Sequence, residues 1–226
     1  MRRRHFSAAL PVFALPLLAR AGGGLSEFDA SQGLRAALEK GAVAAVQVLG
    51  RPDGFLANPQ VHIPLPKALH DAASLLNALG MRKQLEDFET AMNRAAESAV
   101  PQAEALLVDA VKKISIADAR RILAGGETSI TEFFAGKTRD PLTVTFMPAV
   151  HQATSKVGVV EQYDRLTHKA QSMGLYRPED PSVDHYVTRK ALDGLYFMIG
   201  EEEKKIRRDP VGTGSALLAR VFGGMR

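Results

Sequence analysis

The chain has 226 residues and no cysteine, and its 29 basic and 25 acidic side chains give a formal net charge of +4. Apolar residues make up 46% of the chain and charged residues 24%, which is typical of a globular protein rather than a disordered one. Without cysteine, disulfide bonds and lipid attachment at a cysteine are both excluded, so stability has to come from a packed core.

The first 21 residues have the pattern of a secretory signal peptide. Arg2 to Arg4 precede a 12-residue apolar run, Ala8 to Ala19, and Ala19-Arg20-Ala21 is followed by three glycines. A helix of that length spans only about 18 Å, against roughly 30 Å for the hydrocarbon core of a membrane. The pattern therefore predicts export and cleavage after Ala21, with a buried first helix as the structural alternative. Arg3-Arg4 leaves twin-arginine export open beside the general secretory route.

Removal of this leader changes what the charge implies. Residues 1–21 contain four arginines and no acidic residue, so the rest of the chain carries 25 basic and 25 acidic side chains. A formally neutral chain lacks the basic surface that nucleic-acid binding requires. We expect residues 22–226 to form one domain in the periplasm, without a nucleic-acid partner and without a transmembrane anchor.

Helix signals dominate the predicted domain. Capping residues, apolar spacing and glycine stops predict about ten helices, and Pro101 and Pro141 are predicted to begin two of them because proline fits the first turn but breaks a helix interior. The predicted helices cover roughly residues 29–49, 66–79, 81–98, 101–114, 115–125, 129–136, 140–156, 159–173, 183–208 and 215–222.

One segment differs from the rest. Arg51 to Pro66 contains four prolines and an alternation of Val61, Ile63 and Leu65. This pattern predicts an extended strap and leaves a small hairpin turning at Asn58-Pro59 open. The predicted fold class is all-α, a single-domain irregular helical bundle of about ten helices with one extended Pro-rich segment.

Motifs of common metal and catalytic sites are absent from the sequence. No histidine has an acidic residue three positions before or after it, and neither H-E-x-x-H, G-x-S-x-G nor S-x-x-K occurs. The isolated histidines are interpreted as solvated or structurally satisfied. The glycines of Gly212 to Leu218 are interpreted as the entry to the last helix rather than a phosphate cradle. We therefore predict no metal, no cofactor and no catalytic residue, and favour a protein that is not an enzyme.

Asp193 is the most informative polar residue of the long helix predicted over 183–208. The stretch from Ala191 to Ile199 is apolar nearly all round, so we expect Asp193 to be buried and paired with a base. The bases considered are Arg189 and Lys190 on the same helix, and Arg94 and Lys112 on others.

Asn93 and Arg94 are the other candidates for ligand binding. An arginine fork suits a carboxylate or phosphate, although a simple Arg94–Glu97 pair is the favoured alternative. The run from Glu201 to Arg208 is predicted to be a solvated face of self-paired charges. The candidate ligand-binding residues are Asn93, Arg94, Lys190, Asp193 and Tyr196.

Several long stretches together carry a resemblance to a known family. They are "DGFLANPQVHIPLPKAL", "MNRAAESAVPQAEALLVDAVKKI", "ILAGGETS" and "YVTRKALDGLYFMIGEEEKKIRRDP". Over about Leu25 to Gly224 the chain resembles an exported family of Gram-negative bacteria known as domain of unknown function 4197. The resemblance implies a periplasmic, all-helical protein, with no activity, cofactor or catalytic residue assigned to the family.

Three functions are consistent with these observations. The first is a periplasmic binding or interaction module for an apolar or anionic small ligand or a partner protein. The second is a structural or assembly protein of the cell envelope. The third is an enzyme with an interhelical polar cleft and no standard motif.

Overall fold

A computed structural model describes residues 25–117, 119–174 and 180–224, and the predicted leader lies outside these ranges. In the described part the chain forms eight α-helices and no strand, which confirms the all-helical prediction but not the number of ten. The helices are α1 Glu27–Leu49, α2 Lys67–Ala78, α3 Arg82–Lys113, α4 Ala119–Leu123, α5 Ser129–Lys156, α6 Val159–Gln171, α7 Val183–Arg208 and α8 Ala216–Gly223.

The number of helices differs because two prolines lie inside helices rather than at their start. Pro101 is part of α3, and Pro141 is part of α5. Proline cannot donate to the carbonyl four residues earlier, so each of these prolines costs its helix one hydrogen bond, and α5 contains a further proline, Pro148. Both helices continue because apolar residues on either side of the proline are buried in the same core. Tertiary packing thus overrides the local penalty.

Four long helices form the centre of the molecule. α1 packs against α7, α7 against α5, α5 against α3, and α3 against α1, which closes a ring around one core. α4 and α8 pack on α1, whereas α2 and α6 cover α3. The largest fully buried side chains of this core include Phe88, Phe134 and Phe146.

Polar residues at the helix ends explain several boundaries. The Ser26, Ser182 and Ser215 hydroxyls accept from backbone N–H groups in the first turns of α1, α7 and α8. Gly174 follows α6 with a φ of 72°, a conformation that favours glycine. None of the helices in the described part combines the length and the apolar character needed to cross a membrane.

The segment 51–66, which we call the strap, consists of turns and irregular backbone, so the hairpin is not formed. Its apolar side chains Phe55 and Ile63 are fully buried. Phe55 packs so closely on α7 that a Cβ added to Gly194 would lie 2.7 Å from its ring. The strap is therefore an integral layer of the core rather than a surface loop.

Candidate functional site

The side chain of Asn93 holds the strap against α3. Its Oδ1 accepts from Ile63 N at 2.9 Å, and its Nδ2 donates to Ile63 O at 2.8 Å and to Glu89 O at 2.8 Å. Asn93 is fully buried, so these bonds satisfy backbone groups that water does not reach. A ligand that used this amide would have to displace the strap.

Glu97 and Arg94 hold the other end of the strap. The buried Glu97 accepts from Phe55 N and Leu56 N, each at 3.0 Å, through Oε1. Its Oε2 accepts from Arg94 Nη1 at 2.7 Å, while Arg94 Nη2 donates to Asp53 Oδ1 at 2.8 Å. The predicted Arg94–Glu97 pair is confirmed. The polar side chains of this part of α3 bind the strap of the same chain.

Asp193 lies at a different place, between α5 and α7. Its side chain is 41% exposed, so the prediction of burial is wrong, and its ion-pair partner is Arg139 at 2.5 Å rather than any of the four bases considered. The apolar stretch from Ala191 to Ile199 indicates burial on nearly all sides, but one narrow side of α7 faces a cleft, and Asp193 lies there. Arg139 belongs to α5, and sequence spacing cannot indicate a partner on another helix.

Tyr196 lies one turn beyond Asp193 and is 5% exposed. Its hydroxyl is 2.9 Å from Thr138 Oγ1, and the Arg139 guanidinium carbon is 5.0 Å from the centre of its ring. Burial raises the pKa of Tyr196 above its ordinary value. The phenol is therefore a neutral hydrogen-bonding group at ordinary pH.

Lys190 lies on α7 but does not line that cleft. Its Nζ is 6.0 Å from the ring centre of Tyr186, whose hydroxyl donates to Pro64 O of the strap at 2.9 Å. Burial raises the pKa of Tyr186 to about 12. The five predicted residues thus lie in three places: Asn93 and Arg94 hold the strap, Lys190 lies beside Tyr186, and Asp193 and Tyr196 line the cleft.

The cleft around Asp193, which we call the α5–α7 cleft, has a volume of about 330 Å³. Its charged side chains have partners of their own. Arg139 pairs with Asp193, Lys204 with Glu201 at 2.6 Å, and Glu132 accepts from Thr128 at 2.7 Å. The residues that line it are Thr128, Thr131, Glu132, Ala135, Arg139, Asp193, Tyr196, Phe197, Gly200, Glu201 and Lys204.

A second cavity lies on the other side of α5, and none of its residues is a candidate from the sequence. This α3–α5 groove has a volume of about 360 Å³, in the range of small-ligand pockets. Its exposed lining surface is mainly apolar, although five of its ten lining residues are polar or charged. The residues that line it are Leu106, Asp109, Ala110, Lys113, Ile114, Lys137, Thr138, Pro141, Leu142 and Thr145.

The acidic run of α7 contains a buried residue, which the sequence analysis misses. Glu203 is 3% exposed and accepts from Ile130 N at 3.1 Å and from Thr131 N at 2.8 Å, so it caps the start of α5. Arg207 donates to Glu203 at 2.9 Å, as the spacing predicts. The prediction of a fully solvated face is wrong at Glu203, because the first turn of α5 packs over it.

Two histidines have carboxylate partners near the start of α7. His151 Nδ1 lies 2.6 Å from Asp184 Oδ2, and His185 Nδ1 lies 3.0 Å from Asp180 Oδ1. Burial by itself would raise the pKa of Asp180, but hydrogen bonds from Arg189 and His185 outweigh it and lower the pKa. Across residues 25–117, 119–174 and 180–224, no three potential ligands are grouped as a metal site requires.

Comparison with known proteins yields one match. A family model described as "Protein of unknown function (DUF4197)" matches residues 24–223, and this range includes the strap, the cleft and the groove. No curated protein and no solved structure matches the chain.

Proposed function

The chain belongs to the DUF4197 family of proteins of unknown function, and from this premise we propose that it is a binding module that holds an apolar small molecule in the α3–α5 groove. The observation that carries the proposal is the apolar wall formed by Leu106, Ala110, Ile114 and Leu142 along an open groove. Covering such a surface with an apolar ligand is worth about 25 cal/mol per Å².

The α5–α7 cleft is less suited to binding. Each charged group that lines it already has a partner, so a polar ligand would have to break existing ion pairs and hydrogen bonds. That Asp193 and Tyr196 contact a ligand there stays a prediction. An enzyme that brings Asn93, Arg94, Asp193 and Tyr196 around one cleft is not favoured, because Asn93 and Arg94 bind the strap instead.

Pro141 supports the choice of the groove. It lines the groove in the middle of α5, and it has no N–H to donate to the carbonyl of Lys137 one turn before. Proline inside a helix is a common site of kinks. The groove thus lies where the ladder of α5 is interrupted opposite the last turns of α3.

Two alanines of α3 provide a matched test of the groove. Ala110 lines it and is half-buried, whereas Ala105 is exposed and does not. We expect Ala110→Phe to fill the groove and weaken binding of the neutral fluorophore N-phenyl-1-naphthylamine at least tenfold, while Ala105→Phe leaves it unchanged. Equal effects of the two variants, with both folded by circular dichroism, would contradict the proposed site.

The proposal includes export to the periplasm of a Gram-negative cell, with residues 1–21 removed. The arrangement of Arg2 to Arg4, the short apolar run and Ala19-Arg20-Ala21 supports it. The test is the intact mass of protein recovered from the periplasm, which should correspond to a chain beginning at Gly22. A recovered chain that retains Arg2 to Arg4 would contradict cleavage.

A further inference from the structure

The charges at the ends of the α3–α5 groove are not balanced. Asp109 and Lys113 of α3 pair with each other at 2.7 Å, so together they contribute no net charge. Lys137 of α5 also lines the groove and is exposed. In the part of the chain that the structure describes, no carboxylate oxygen lies within 4 Å of the Lys137 ammonium.

The nearest acidic residue in sequence does not change this balance. Asp140 follows Lys137 by three positions on α5, but it is not part of the groove wall and forms no ion pair with the lysine. The groove therefore combines an apolar wall with one exposed, uncompensated positive charge, that of Lys137. An occupant that complements both features has an apolar body and one negative charge at one end.

We propose that the groove binds a single-chain carboxylate amphiphile, with the carboxylate at Lys137 and the hydrocarbon tail along Leu106, Ala110 and Leu142. This inference rests on the proposed function, because it names the class of the apolar ligand. A lysine at the edge of an apolar surface keeps its ammonium in water while its stem lies along the surface. Such an ammonium can meet a carboxylate without the cost of burying either charge.

The size of the groove limits the tail. A volume of about 360 Å³ corresponds to about a dozen water volumes of about 30 Å³ each. A methylene group is of similar size, so a chain of about ten to twelve carbons fills the space. Within that limit each added methylene should tighten binding about fourfold, and longer chains should gain little because the extra carbons stay in water.

The test compares a series of carboxylates with alcohols of the same length. Octanoate, decanoate, dodecanoate and tetradecanoate are titrated calorimetrically below their micelle concentrations, beside decanol and dodecanol. We expect affinity to rise up to about twelve carbons and then level. Dodecanoate should bind two- to fivefold more tightly than dodecanol, a margin that falls as salt rises because the charges are exposed.

Two lysine variants locate the headgroup. Lys137→Gln should remove the advantage of dodecanoate over dodecanol and leave dodecanol unchanged. Lys112→Gln is the control, since Lys112 is an exposed lysine of α3 outside the groove. Both variants should keep the thermal unfolding temperature of the original protein, because neither side chain is buried.

Each other outcome has a definite meaning. Equal affinities for dodecanoate and dodecanol would overturn the headgroup assignment while the apolar groove of the proposed function stands. Equal losses in Lys137→Gln and Lys112→Gln would overturn it as non-specific attraction. Absence of binding by every compound would overturn both the inference and the proposed function, with a partner helix as the remaining occupant.

Discussion

The strap and the α3–α5 groove both lie along α3, but its polar side chains are buried against the strap and exposed at the groove. Along the first half of α3, Asn93 and Glu97 are buried and bind backbone groups of residues 55–63. Along its second half, Leu106, Ala110 and Ile114 give the groove facing α5 an apolar wall, and the charged Asp109 and Lys113 are exposed. Buried polar residues with complete partners stabilise structure, whereas an apolar wall without a partner is available to a ligand.

The largest expected effect concerns the carboxylate that holds the strap. Glu97→Ala leaves Phe55 N, Leu56 N and Arg94 Nη1 without their acceptor, so we expect the free energy of unfolding to fall by about 3–5 kcal/mol in urea denaturation. Glu86→Ala is the control, because Glu86 forms only an exposed pair with Arg82 and its loss should leave stability nearly unchanged. Similar small losses in both variants would show that the strap is not held by Glu97.

A smaller effect is expected where the strap meets α7. In Gly194→Ala the new Cβ would lie 2.7 Å from Phe55 Cε1 and 3.3 Å from Val61 Cβ, so neighbouring atoms must shift at a cost of about 1–3 kcal/mol. Gly136→Ala is the matched control on α5, since nothing lies within 4 Å of that position and alanine should raise stability by about 0.5–1 kcal/mol. Thermal unfolding of the two variants should therefore move in opposite directions. A stabilised Gly194→Ala protein would contradict close packing of the strap on α7, because Phe55 would then move aside without cost.

The smallest effect at neutral pH is expected at Tyr186. Tyr186→Phe removes the hydrogen bond to Pro64 O and should lower the free energy of unfolding by about 1 kcal/mol. At alkaline pH this difference should shrink, vanish within about one pH unit above 10 and then reverse in favour of the variant. Because the folded state keeps the Tyr186 pKa at about 12 and an unfolded tyrosine ionises near 10, the stabilising contribution is complete below pH 10.

Between pH 10 and 12 the original protein loses about 1.4 kcal/mol of unfolding free energy per pH unit through Tyr186, about 2.7 kcal/mol in all, and the variant does not. The measurement is urea denaturation of both proteins from pH 8 to 11.5. The same alkaline slope in both would contradict a buried phenol at this position. Tyr196, whose pKa is also raised, remains in both proteins and cancels in the comparison.

Local signals in the sequence predict most of the fold. The bounds of α7, predicted over 183–208 and observed at Val183–Arg208, follow from residues close to one another in sequence. The merged helices at Pro101 and Pro141 do not, because the packing that keeps them continuous comes from distant helices.

The site is predicted far less well than the fold. Sequence reasoning selects polar residues such as Asn93 and Arg94, but the Ile63 backbone that Asn93 binds and the Asp53 carboxylate that Arg94 binds belong to a segment about 30 to 40 residues away. The groove is missed because Leu106, Ala110 and Ile114 have the spacing of an ordinary core stripe. Only the packing of α3 against α5 in the folded structure shows that these residues line a groove between the two helices.

The most direct test of the groove as a binding site is a heteronuclear NMR titration of the protein with dodecanoate. We expect saturable chemical-shift changes at Leu106, Ala110, Ile114 and Leu142, with the strap residues Phe55 and Ile63 unaffected. No saturable change, or changes confined to the α5–α7 cleft around Tyr196 and Gly200, would contradict the assignment of the groove as the binding site.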